Sequence, residues 1–404
     1  MVLYLLPLAF ALAGLALYVV LGGADFGAGF WQLVGADREI RDHAHQAMAP
    51  VWEANHVWLI FVLTVVWTAY PSAFGSIAST LSIPLFIAGI GIVLRGGAYA
   101  LRSGTRTPAE LRRVDTLFAI SSILTPFALG TAVGGIASER VHVGNPGGSL
   151  VTSWLNPTSI TIGALAVATS AYMAAVFLSG DAQRLGDERL AERFRTRALA
   201  SGLVAGAAAL AGIVVLHSDA ARLFHRLTHG AGLPALIVSV AAGVATLALL
   251  WRRRYEPARY SAALAVAAVV AGWAVAQSPV LLRGLTIREA AAGHDVLVAV
   301  VVAVLGGAVI LFPSLALLFR LTLRGDLDPG HERAKVRPRG DMPGVGGVRI
   351  AAAFLVAGIG LLTVANAPWA HAIGVVCFFG FAVAAYGAVA EEPIARSESV
   401  DGTK

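Results

Sequence analysis

Charge is scarce in this chain. Of 404 residues, 13% are Asp, Glu, Lys or Arg, against roughly a quarter in ordinary soluble domains. Hydrophobic residues make up 57%. That balance excludes an ordinary water-soluble enzyme, and it excludes disorder, which requires low hydrophobicity. Cysteine is nearly absent: Cys377 stands alone, so there is no intrachain disulfide and no cysteine-built metal or iron–sulfur centre. Long polar stretches are missing too, so no soluble domain is visible. The longest, about 321–347, is rich in Gly, Pro and Arg and reads as a linker.

What remains is apolar sequence in runs. A membrane-spanning helix needs about 20 mostly apolar residues. Eleven stretches qualify, near 3–25, 50–70, 76–101, 114–137, 158–180, 197–217, 231–251, 258–277, 295–320, 348–367 and 370–390. Tyr70-Pro71-Ser72 divides the second from the third, and Asn366-Ala367-Pro368 divides the last two, because proline interrupts a helix. With the N-terminus outside, 25 of the 30 Lys and Arg fall in inner segments and 5 in outer ones. The net charge of +6 is therefore an orientation signal and not a nucleic-acid footprint. The expected fold is an all-α polytopic membrane protein of about eleven transmembrane helices, N-terminus outside and C-terminus cytoplasmic. The first helix has no basic residue before it and reads as a retained span rather than a cleaved signal.

Ionisable residues within spans are costly and merit a functional reading. This topology sets Asp25 at the inner end of the first helix and Glu53 just inside the second. Arg95 lies about two turns from the inner end of the third, and Asp115 opens the fourth. Four groups on consecutive helices share one depth, so three carboxyls are expected around one guanidinium. Such a cluster serves either as a proton entrance, where burial disfavours a charged carboxylate and the guanidinium favours it, or as an interfacial ion-pair knot that fixes helix register. The residues alone leave both open. The run Pro50-Val51-Trp52-Glu53-Ala54-Asn55-His56-Val57-Trp58-Leu59 is the densest polar–aromatic stretch in any span. Trp52 suits the interfacial belt, whereas Trp58 lies deeper. Among ten histidines only His56 falls clearly within a span, so no pair of opposed imidazoles for a haem is evident. The outer histidines read as solvated. Gln277, in Gly272-Trp273-Ala274-Val275-Ala276-Gln277-Ser278-Pro279, reads first as a polar helix terminus and second as a contact for a polar head group.

Together these residues resemble subunit II of the cytochrome bd-type quinol oxidases. The resemblance rests on Gly22-Gly23-Ala24-Asp25-Phe26-Gly27-Ala28-Gly29 and on Pro50 to Ile60. It continues through Arg95 with Ala98-Tyr99 and Arg102, Ser153-Trp154-Leu155-Asn156-Pro157, and Trp273 to Pro279, in order across about residues 1–325. Trp-Glu-Ala-Asn-His resembles the cyanide-insensitive branch, in which Glu replaces the Asp of the best-known members. The resemblance implies a complex in the bacterial cytoplasmic membrane that oxidises quinol, reduces dioxygen to water and builds a proton gradient. Haem b and haem d (or b-type haem only) are then expected on the partner, subunit I. Subunit II stabilises that partner and supplies a cytoplasmic proton path, with Glu53 as its acid and Asp25, Arg95, Asp115 and His56 as supporting polar residues. A bound quinone, in contact with Trp58 and Gln277, is the remaining cofactor expectation; no metal site is expected on this chain.

The family core would occupy 1–325, a cytoplasmic linker 326–347, and a two-helix extension with a tail 348–404. The extension has no counterpart in the family pattern; it reads as lipid-facing decoration or as a docking surface for a small accessory subunit. The alternatives are a proton-coupled secondary transporter, which usually carries its charge near the midplane, and a purely structural scaffold.

Overall fold

The computed structural model describes residues 3–35, 38–48, 52–102, 104–105, 107–144, 148–323, 344–363 and 367–390. The side chains of Trp52 and Glu53 lie outside the described residues, as do most of the 326–347 linker and the tail after 390. The chain forms two compact units, 1–312 and 313–404.

The first unit opens with one rod, Leu3–Val34, made of α1 (Leu6–Leu17), a π-helical turn (Tyr18–Gly22) and α2 (Gly23–Val34). A short amphipathic helix follows, α3 (Arg38–Met48), with Ile40 and Ala44 fully buried. Next come α4 (Trp52–Ala69), α5 (Pro71–Thr80), α6 (Ser82–Arg102), α7 (Pro108–Ala137), α8 (Pro157–Arg184), α9 (Glu188–Asp219), α10 (Ala221–Thr228), α11 (Leu233–Trp251) and α12 (Tyr255–Gln277). A small hairpin of β1 (Val280–Leu282) and β2 (Leu285–Thr286) precedes α13 (Ile287–Ala290) and α14 (His294–Leu323). The second unit contains the mutually packed pair α15 (Gly344–Thr363) and α16 (Pro368–Ala390), with Phe354 against Gly380 and Phe378 against Gly358.

A helix stands at each of the eleven expected spans. Among the described residues eight are long and apolar enough to cross a membrane, and two further apolar helices are shorter. Local sequence sets the boundaries. Thr107 and Glu110 form a reciprocal capping box ahead of α7, with Pro108 in its first turn. Asn156 caps α8 before Pro157, and Asp187 caps α9. The expected third span, 76–101, is in fact divided at Leu81 between α5 and α6. Pro84 has no N–H for the Thr80 carbonyl, which accepts the Ser153 hydroxyl instead at 3.3 Å.

Helix α8 is the hub. Ala171 to Val176 are all buried, and the helix packs against α2, α7, α9 and α12. Its approach to α2 is close enough that a Cβ on Gly27 would fall 1.8 Å from the Ser170 carbonyl oxygen. The loops richest in arginine meet at one end of the unit, through Arg193–Glu39, Arg184–Glu256, Arg259–Asp181 and Arg253–Glu192. At the other end, Tyr70 donates to the Tyr4 carbonyl at 2.6 Å. There, too, Asp219 accepts both Arg140 nitrogens and the Thr158 hydroxyl. Gly27→Ala should therefore force α2 and α8 apart. We expect the assembled protein to be lost from detergent extracts, whereas Gly75→Ala, where a Cβ meets nothing within 4 Å, should purify at the wild-type yield.

Candidate functional site: a buried guanidinium and carboxylate at the arginine-rich end

The π turn at Tyr18–Gly22 adds a residue to the first rod and re-aims the side chains around it. The rings of Tyr18 and Phe26 both lie steeply inclined to that of His56, at 5.9 and 5.8 Å between centroids. One residue before Phe26, Asp25 is 5% exposed, and its Oδ2 accepts the Asn55 amide at 2.7 Å. Oδ1 takes no hydrogen bond from the described residues.

Arg95 enters from α6 and is 1% exposed. Its Nη2 donates to the Asp25 backbone carbonyl at 2.9 Å and its Nε to the Ser122 hydroxyl at 3.1 Å. Ser122 passes its own proton to the Phe118 carbonyl at 2.7 Å. The guanidinium lies between the rings of Phe26 and Phe118, 4.8 and 5.0 Å from their centroids. A buried guanidinium is tolerated when its donors are used and its faces are covered. Gly29 makes room for this: a Cβ there would meet the Ser122 hydroxyl at 2.3 Å.

Asp115 is not part of this compartment. It pairs with Arg102 at 2.9 Å, half exposed. The expectation of three carboxyls around Arg95 is corrected by simple geometry. Helices α6 and α7 run antiparallel, Arg95 faces Ser122 and Arg102 faces Asp115, so the two rungs are seven residues, or about 10.5 Å, apart. Around this outer rung, His45 lies 5.6 Å from the Tyr99 ring. Burial, and secondarily Arg102, hold the His45 imidazole below its ordinary range. Glu53 sits in the first turn of α4, two residues before Asn55; its side chain is outside the described residues.

Trp58 and Gln277 are not brought together. Trp58 is on the Asn55 half of α4, whereas Gln277 ends α12 beside the hairpin that packs, through Leu282, on Tyr70 at the far end. Gln277 is buried, and among the described residues neither of its amide atoms has a hydrogen-bond partner; nor does the Trp273 indole nitrogen. That donor-and-acceptor set fits a carbonyl head group. Sequence reasoning passed over Tyr18, Phe26, Phe118 and Ser122 as site residues. The paired hydroxyls Ser121-Ser122 at membrane depth were the one signal available for Ser122.

Fold and site define a polytopic helical membrane protein whose buried guanidinium–carboxylate compartment lies toward one end. The chain belongs to the cytochrome bd terminal oxidase subunit II family, whose model matches residues 3–322. It is thus a subunit of a bd oxidase complex, an oxidoreductase that works together with subunit I. It is 23% identical over 237 residues to a Bacillus subtilis (strain 168) protein provisionally assigned as a cytochrome bd menaquinol oxidase subunit II, covering 57% of this chain and 67% of that protein. Over 114 residues it is 27% identical to the cytochrome bd ubiquinol oxidase subunit 2 of the same organism, covering 28% of this chain and 34% of that one. The solved bd oxidase from Geobacillus thermodenitrificans superposes with a TM-score of 0.65 at 25% identity, over 80% of this chain and 99% of the matched one. None of these similarities favours a transporter.

The two rungs should respond differently to substitution. Arg95→Lys loses the stacked plane and the forked donors and should destabilise the protein on the scale of a broken buried pair, about 3–5 kcal/mol. Arg102→Lys, at a half-exposed pair, should cost less than about 1 kcal/mol. Thermal unfolding of the purified complex in detergent separates the two.

Proposed function

We propose that this chain stabilises the haem-bearing subunit I and carries protons to it from the cytoplasm of a bacterial cell, across the plasma membrane in which both are embedded. Haem b and haem d, or b-type haem only, and the site of quinol oxidation belong to subunit I in this reading. There they supply the electron transfer and dioxygen reduction. This chain holds no complete active site; its own residues handle the proton.

The observation that carries the reading is the buried Asp25 carboxylate, with Asn55 on one oxygen and Arg95 fixed behind it. The Asn55 amide orients the carboxylate and leaves Oδ1 to take up a proton. Arg95 is locked by Ser122, the Asp25 carbonyl and two rings, so its charge is a constant field rather than a mobile partner. Glu53, in the first turn of α4 and two residues from Asn55, is the acid that passes protons inward from the arginine-rich loops. Those loops are the cytoplasmic ones by the positive-inside rule. His56 and the Arg102–Asp115 rung shape the approach.

A quinone, when bound, would meet Gln277 and Trp273 at the opposite end, where three buried polar atoms lack partners among the described residues. It would serve there as a structural ligand remote from Asp25. Trp58 takes no part in that contact. The α15–α16 pair is an appendage to this machinery, suited to lipid or to a small accessory subunit.

Glu53→Ala should lower oxygen consumption by the purified complex about tenfold or more, the scale of losing one acid–base group, with the haem spectrum intact. Glu53→Asp should retain much of the rate, since a carboxyl remains. Normal turnover in Glu53→Ala would sink the proton-path role.

A further inference from the structure

At the end of the molecule remote from Asp25, the short helix α10 carries His225 in its last turn, and His229 caps it. The two are four residues apart, so they rise from one face of the helix. Both side chains are exposed, and their ring centroids are 5.9 Å apart at an interplanar angle of 50°. Two imidazoles that share one zinc ion through Zn–N bonds of about 2.1 Å, at a near-tetrahedral angle, have ring centres roughly 5–6 Å apart. The pair already stands at chelating distance.

A second observation concerns the proton on His229. The Thr228 hydroxyl lies 2.7 Å from the Phe224 carbonyl and 2.7 Å from His229 Nδ1. A hydroxyl has one proton and the carbonyl has none, so the Thr228 proton goes to Phe224. The short contact to the ring is then a bond donated by Nδ1–H. Nε2 is left as the bare lone pair, the form that binds a metal, with Thr228 as the outer partner that ligating histidines usually have. Phe224 lies against both rings, at 5.5 and 6.1 Å, and restricts them further.

We propose that His225 and His229 form a two-imidazole site for a divalent transition-metal ion of the zinc or copper type, with water completing the coordination. The neighbouring arginines do not forbid it. Arg222 is ion-paired with Glu139, and Arg226 donates to the Ala276 carbonyl at 2.8 Å. Even at a separation of about 8 Å, a divalent ion and one arginine in a water-like medium repel by only about 1 kcal/mol, which is small beside a pair of metal–nitrogen bonds. His217 also touches Phe224, from the end of α9, at 4.9 Å; it is not one of the two ligands.

The test uses the intact complex, purified on a histidine-free tag, stripped with chelator and titrated with Zn2+ by calorimetry. His225→Ala and His229→Ala should each abolish one equivalent of binding or weaken it at least tenfold. Thr228→Val should weaken the same equivalent by about 10–100-fold, the usual scale for an outer partner. His217→Ala should leave it in place. Unchanged haem spectra and thermal midpoints in all four variants show that they fold. A His225→Ala/His229→Ala double variant that binds Zn2+ with wild-type stoichiometry and affinity would overturn the proposal. So would loss of the equivalent in His217→Ala alone.

Discussion

A guanidinium buried inside a membrane protein needs compensating partners, and the helices around Arg95 supply four of them. α2 supplies a backbone carbonyl from Asp25 and the ring of Phe26. α7 supplies the Ser122 hydroxyl and the ring of Phe118. Each partner sits where it does because a glycine or a π turn lets the backbones come close: Gly29 under Ser122, Gly27 under Ser170, and the turn at Tyr18–Gly22 that swings the first rod. The Gly-Gly-Ala-Asp-Phe-Gly-Ala-Gly segment is thus one device. It delivers a carboxylate and an aromatic ring to a fixed positive charge, and its small residues allow the contact.

With the charge fixed, the carboxylate becomes the variable part. Asp25 is bound through one oxygen by Asn55 and feels Arg95 from behind, in a compartment lined by Tyr18, Phe26 and His56. The remaining charged contacts are of a different kind. Arg140 with Asp219, Arg193 with Glu39 and Arg259 with Asp181 lie at the two ends, partly exposed, and hold loops to helix termini. Their contributions are small individually. The Arg95 compartment carries the larger stake, because removing any one partner leaves a buried charge uncompensated.

The spans were legible because hydrophobic run length and the placement of 30 basic residues are properties of the sequence alone. The depth shared by Asp25 and Arg95 was legible for the same reason. What could not be read was axial register. Asp115 and Ser122, seven residues apart, lie on nearly one face of α7, and which of them stands opposite Arg95 depends on a two-turn slide of α7 along α6. Arg102, named only as part of a motif, took Asp115 instead. The break at Leu81 was hidden because Pro84 acts three residues downstream and its cost is met by Ser153, 73 residues away in sequence. Trp58 and Gln277 were grouped by residue type, and the antiparallel course of the helices set them in opposite halves. Tyr18 and Phe118 look like ordinary apolar positions until the fold turns them toward a charge.

The central claim is that Asp25 carries a proton rather than merely balancing Arg95. Asp25→Asn tests it most directly, because the amide keeps the shape and the Asn55 contact and removes only the ionisable group. In liposomes holding the purified complex, proton uptake from the arginine-rich side and oxygen consumption should fall together by about tenfold or more, on the scale of acid–base group removal, while the haem bands stay near wild type. Wild-type proton uptake and turnover in Asp25→Asn would contradict the account and leave the compartment a structural knot.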